Sequence, residues 1–281
     1  MDELQTLDAR IKAILPAQYQ ECYEEVQPVS MGTAGLKYGP DGKVAWNEIW
    51  GSFCDLAMAG GPPHKGTLLE PGNPEEDLEK YREVVAEICR GIRLVTKLPA
   101  APSPVSGWVR VECGSEAAAG WLTRAILMEN VSARWEGTAI DLPAGPAYRI
   151  HKEIKNVITS IAKTFHYWDQ HMWTAQQKEI GRLFETMAVE TPLVQPGEDP
   201  PPGMAEAIRE QTGLQPAALR YKGWLGLECP DVHSAIWMMR ALVASNVLAR
   251  RQETLLFVPG GEVVAREVVR VHAFAKQRGV L

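Results

Sequence analysis

The chain has 281 residues, 46% hydrophobic and 23% charged, which is enough apolar surface to offset the entropy of ordering and argues against disorder throughout. Lysine and arginine total 29 against 35 acidic residues, a net charge of −6, so no basic excess exists to neutralise phosphates and a nucleic-acid partner is disfavoured. No run approaches the roughly 18 apolar residues of a membrane span, and Met1-Asp2-Glu3-Leu4 lacks the basic and apolar regions of a signal peptide, which points to a cytoplasmic chain.

Residues 3–14 and 17–26 read as helices. Gly35 to Trp46 reads as a hairpin around the Pro40-Asp41-Gly42 turn. An amphipathic helix is expected over 46–58, with Glu48, Ser52 and Asp55 on one face. The loop Gly60-Gly61-Pro62-Pro63-His64-Lys65-Gly66-Thr67 follows. Asn73-Pro74-Glu75-Glu76 carries the signals of a helix start, with Asn as cap, Pro in the first position and Glu in the third. Leu78, Tyr81, Val85, Ile88, Ile92 and Val95 then mark one apolar stripe. Pro99–Pro104 and Pro196–Pro202 read as stiff connections.

The strongest signal is internal. Gly107-Trp108-Val109-Arg110-Val111-Glu112-Cys113 resembles Gly223-Trp224-Leu225-Gly226-Leu227-Glu228-Cys229, and without a gap 15 of the 39 positions from 107 to 145 are identical to those 116 residues later. Repeats of this kind must be found before the fold is assigned. Each copy reads as a buried strand (107–113, 223–229), a cap at Ser115 or Asp231, and a helix (115–130, 231–246) closed by Asn130 or Asn246. A hairpin comes next, turning at Glu136-Gly137-Thr138 or Gln252-Glu253-Thr254, and a long helix begins near Ala147 or Glu262. The predicted fold is α+β: duplicated β-α-β-β-α units of ferredoxin-like-plait type, with additional helices and a pseudo-twofold arrangement. A plait has one further strand, so the units are expected to share a sheet of six strands. Weaker echoes, Trp46/Trp168 and Leu68–Gly72 against Leu193–Gly197, extend the reading to halves 1–145 and 146–281.

Cys22, Cys54, Cys89, Cys113 and Cys229 have no zinc-type spacing and read as reduced, buried thiols. Trp108, Trp121, Trp224 and Trp237, matched between the copies, are expected in the core with their indole N–H groups bonded. Four groups of residues can carry chemistry. In the loop, Gly60, Gly61 and Gly66 let backbone amides approach a ligand, and His64, Lys65 and Thr67 offer donors to an anion; a structural turn is the competing reading. Arg124/Arg240, with Glu112/Glu228 and Arg134/Arg250, frame either a symmetric anion site or internal salt bridges. His166, Asp169 and His171 close the first long helix; five apart, the histidines should diverge around it, so no metal site is assigned. His64 beside Glu48 or Asp55 has the make-up of an acid–base pair.

The sequence names neither cofactor nor reaction. It favours a binding or regulatory protein holding a small anionic ligand. The alternatives are an enzyme at the Gly60–Thr67 loop and an assembly subunit that meets a protein partner or its own copies.

Overall fold

The computed structural model of the chain describes residues 2–21, 35–48 and 66–281. They form eight α-helices and two antiparallel sheets of four strands each. The chain packs into two compact units, Gln27–Trp173 and Met1–Val26 with Thr174–Leu281.

In the Gln27–Trp173 unit, α2 (Leu78–Thr96) leads into β1 (Ala100–Pro102) and β2 (Trp108–Glu112). Then come α3 (Glu116–Met128), β3 (Arg134–Glu136), β4 (Ala139–Pro143) and α4 (Lys155–His166). The sheet order is β1-β2-β4-β3. The expected helix start at Pro74 is only a short 3-10 turn over Pro74–Glu76 on an Asn73 cap; the helix proper is capped by Asp77, whose side chain accepts from the Lys80 amide. Leu78 accordingly lies off the buried stripe, 51% exposed. α4 packs on both α2 and α3. Its expected start near Ala147 is replaced by one π-helical turn over Ile150–Ile154.

The second unit holds α1 (Glu3–Ile14), capped by Asp2, and α5 (Thr174–Glu190), tied together by the Arg10–Glu190 ion pair at 2.6 Å. There follow α6 (Met204–Thr212), β5 (Gln215–Pro216), β6 (Trp224–Glu228) and α7 (Val232–Val243). β7 (Arg250–Gln252), β8 (Leu255–Pro259) and α8 (Glu262–Arg278) complete it, with sheet order β5-β6-β8-β7. Ser115 and Asp231 cap α3 and α7 as their positions imply, and Asn130 and Asn246 take left-handed φ of 58° and 63°.

Trp108 pairs with Pro143 and Trp224 with Pro259, and the rest of both ladders keeps the same register. Isolated parallel bridges join Leu69 to Val131 and Val194 to Val247, placing the two Leu68–Gly72-type segments alike. A six-stranded shared sheet is not what forms. Each sheet gains its fourth strand from β1, inside the Pro99–Pro104 stretch read as a connection, or from β5, which follows α6 beyond the Pro196–Pro202 stretch. Both are short and proline-containing; an edge strand tolerates proline because one side needs no N–H donor.

Of the expected 17–26 helix the described residues show a 3-10 turn over Ala17–Tyr19 followed by bends at Gln20 and Glu21, and of the 46–58 helix a 3-10 turn over Trp46–Glu48; residues 22–26 and 49–58 lie outside the described residues. The Pro40-Asp41-Gly42 hairpin is present in minimal form, with Tyr38 bridged to Val44.

Where Gly72 meets Gly145 the two backbones touch: a Cβ on Gly145 would lie 2.8 Å from the Gly72 Cα. Gly145→Ala is therefore expected to cost about 1–3 kcal/mol, as overpacking of backbone against backbone does. Urea unfolding followed by circular dichroism checks this; a loss under about 0.5 kcal/mol would show that the segments separate freely.

Candidate functional site

α3 is buried on nearly every side, including two polar residues, Thr123 (0% exposed) and Arg124 (1%). Thr123 is satisfied within the helix by the Ala119 carbonyl at 2.9 Å. Arg124 donates from Nη1 to the Gly120 carbonyl at 2.7 Å, and its guanidinium lies 5.9 Å from the Trp135 ring centre. Burial holds its pKa down to about 9. The facing helix, α4, buries Thr159, Ser160, Lys163 and Thr164. Lys163 Nζ meets Glu129 at 2.7 Å, with both side chains almost wholly covered. Thr164 donates to the Ser160 carbonyl, whereas the Thr159 and Ser160 hydroxyls have no hydrogen-bond partner among the described residues. Helices α3 and α4 thus hold two cations, one carboxylate and two orphan hydroxyls inside one unit. Lys163, Glu129, Thr159 and Ser160 were missed from sequence; the available signal was a lysine two residues beyond Ile161, on a helix whose Val157, Ile158 and Ile161 are apolar.

The helix end beyond α4 is a second π turn, Tyr167–His171. Tyr167 and Trp168 pack inward, Trp168 with its ring centre 5.7 Å from that of Trp121. The expected divergence of His166 and His171 does not occur. A π turn places residues five apart above one another, and the two Nε2 atoms come within 3.2 Å. Burial, then His171, push the His166 pKa below its ordinary value, against the opposing pull of Asp169.

The charged residues matched at the 116-residue spacing do not share environments. Glu112 and Glu228 are both exposed, Arg124 is buried where Arg240 is half-buried, and Arg134 is exposed where Arg250 is fully buried. What recurs is a stack: Arg134 lies 5.5 Å from the Trp108 ring centre and Arg250 lies 5.2 Å from that of Trp224. Arg250 is enclosed further by Phe257 at 4.1 Å and Tyr221 at 4.3 Å. At the position of Phe257 the other unit has Asp141, which takes a two-point ion pair from Arg110 at 2.9 and 3.0 Å. Gly226 stands where Arg110 does, leaving room for the Phe257 ring.

Trp121, Trp224 and Trp237 are buried as expected, but Trp108 is half-buried, on the sheet face away from Val109 and Val111. Nor is every buried indole bonded: Trp237 Nε1 has no partner among the described residues. Of the loop, Gly66 and Thr67 are exposed, while Gly60, Gly61, His64 and Lys65 lie outside the described residues, as do Ser52 and Asp55. Glu48 is exposed at the end of its 3-10 turn.

Cys113 and Cys229 are free and buried, and burial pushes both thiols up to about 12; Cys89 is raised to about 11. Such thiols carry no thiolate at neutral pH. In a Cys22→Ser/Cys54→Ser chain, a disulfide-type thiol reagent at pH 8 is expected to react with none of the three until denaturant is added. One fast-reacting thiol per chain would refute this.

No protein-family model, curated protein or solved structure matches the chain. Among the described residues no helix is long and apolar enough to cross a membrane.

Proposed function

We propose that the chain is a non-catalytic binding or regulatory protein for a small anionic ligand, built on a duplicated plait-like β-α-β-β-α unit. Three features support the duplication: the constant 116-residue spacing, the equal strand registers, and the equivalent bridges of Leu69 and Val194. The further strand that a ferredoxin-like plait requires is then supplied from upstream, by β1 and β5. Halves 1–145 and 146–281 belong to this reading as the units of duplication rather than of packing.

The observation that carries the anion is the burial of Arg124. A guanidinium held out of water loses its hydration. An anion reaching it offsets that loss through charge-assisted hydrogen bonds. Lys163 adds a second cation on the facing helix, and Arg240 and the Gly60–Thr67 loop with His64 and Lys65 are the other candidate donors.

The test is thermal unfolding with inorganic phosphate, sulfate and small carboxylates on wild type, Arg124→Lys, Arg240→Gln and Lys65→Ala. A ligand at about 100 times its Kd adds about 2.7 kcal/mol of stability. The reading expects that gain for wild type and a smaller one for Arg124→Lys. If only Lys65→Ala loses it, the loop is the site; if no anion stabilises the wild type, the reading fails. A second reading, assembly with a protein partner, is favoured by Trp173, which is 80% exposed. Sedimentation of wild type against Trp173→Ser separates it from the first.

A further inference from the structure

We infer that His166 and His171 form a two-histidine site for a divalent transition-metal ion of the zinc and copper class. The inference is independent of the anion reading. Imidazole nitrogens suit these metals, and zinc–nitrogen bonds are about 2.0–2.1 Å long. Two nitrogens 3.2 Å apart then subtend roughly 100° at a shared ion, close to the tetrahedral angle. Convergence on one point also sets the distance between the rings: with such bonds their centres should lie roughly 5 Å apart. They lie 4.9 Å apart. The nitrogen separation and the ring separation are two measurements, and both meet the same requirement.

The backbone explains why the pair is so placed. In an α-helix, residues five apart point away from one another, whereas the π turn over Tyr167–His171 brings them to one side. Buried Tyr167 and Trp168 anchor that turn in the core, so the geometry is preset rather than gathered by the ion. Both histidines are half-buried, which leaves a solvent side open for the remaining positions. Among the described residues no third His, Cys, Asp or Glu completes a cluster with them.

The experiment uses the full chain, free of any histidine tag and stripped with chelator. Zn²⁺ and Cu²⁺ are titrated calorimetrically into wild type, His166→Asn, His171→Asn and the exposed control His233→Asn. One equivalent should bind to wild type and to the control, with affinity falling about tenfold or more in either site variant, at least as far as loss of a second-sphere partner lowers it. Equal affinity in wild type and both site variants overturns the proposal. Should a variant fail to fold, the electron paramagnetic resonance spectrum of the wild type with one equivalent of Cu²⁺ decides. Splitting from two imidazole nitrogens upholds the site; splitting from one or none overturns it.

Discussion

Lys163→Met is expected to lower the stability of the Gln27–Trp173 unit by about 3–5 kcal/mol, the cost of leaving one partner of a buried ion pair uncompensated. Lys163 and Glu129 keep only 6% and 12% of their side-chain surface in water. At that burial, screening does not reduce the pair to the small value of a surface bridge. Glu129→Leu should cost a similar amount, for the mirror-image reason. The double change Lys163→Met/Glu129→Leu should recover most of the loss, because well-packed apolar groups can replace a buried pair nearly neutrally. Denaturant unfolding of the four proteins gives the coupling directly. Additive single losses would show that the two charges do not depend on one another.

Trp237→Ala is expected to cost about 3–5 kcal/mol, as truncation of a fully buried tryptophan does. Trp237 is 1% exposed on α7 and its indole N–H has no partner among the described residues. An orphaned buried donor carries a desolvation cost of about 1–3 kcal/mol, so Trp237→Phe should recover much of the loss by removing the donor while keeping most of the ring. Trp46 provides the contrast. It is equally buried, but its Nε1 donates to Glu87 at 2.7 Å. Trp46→Phe forfeits that bond and leaves the carboxylate short of a donor. Its cost should therefore exceed that of Trp237→Phe, measured by circular dichroism rather than by tryptophan emission. The opposite order would show that the Trp237 indole is bonded in solution.

These two predictions differ in how far the sequence foreshadows them. Trp237 is marked by its match to Trp121, and its burial follows from its place among the apolar residues of its helix. The Lys163–Glu129 pair joins residues 34 positions apart on different helices, and no local pattern links them. The same contrast runs through the fold. Caps at Ser115 and Asp231, left-handed Asn130 and Asn246, and the hairpin turns are specified by residues within a few positions of each other. Side-chain competition for nearby backbone groups and the steric limits on φ encode them directly.

The sequence by itself determined the order of strands and helices over 107–143 and 223–259, their capping, and the burial of Cys113 and Cys229. Those depend on short-range sterics and on apolar periodicity, which a single segment carries. Only the tertiary structure decided the fourth strand of each sheet. Three residues in β1 and two in β5 hold too little pattern, and their ladder forms because β2 and β6 offer an open edge. It also decided which shared arginine is buried. Arg250 is enclosed because Phe257 and Gly226 replace the Asp141–Arg110 ion pair, a substitution on neighbouring strands rather than at the arginine itself. Finally, it decided that His166 and His171 face each other. A π turn forms when packing on both sides, here through Tyr167 and Trp168, outweighs the regular α-helical bond, and that balance is settled by the whole unit rather than by the segment.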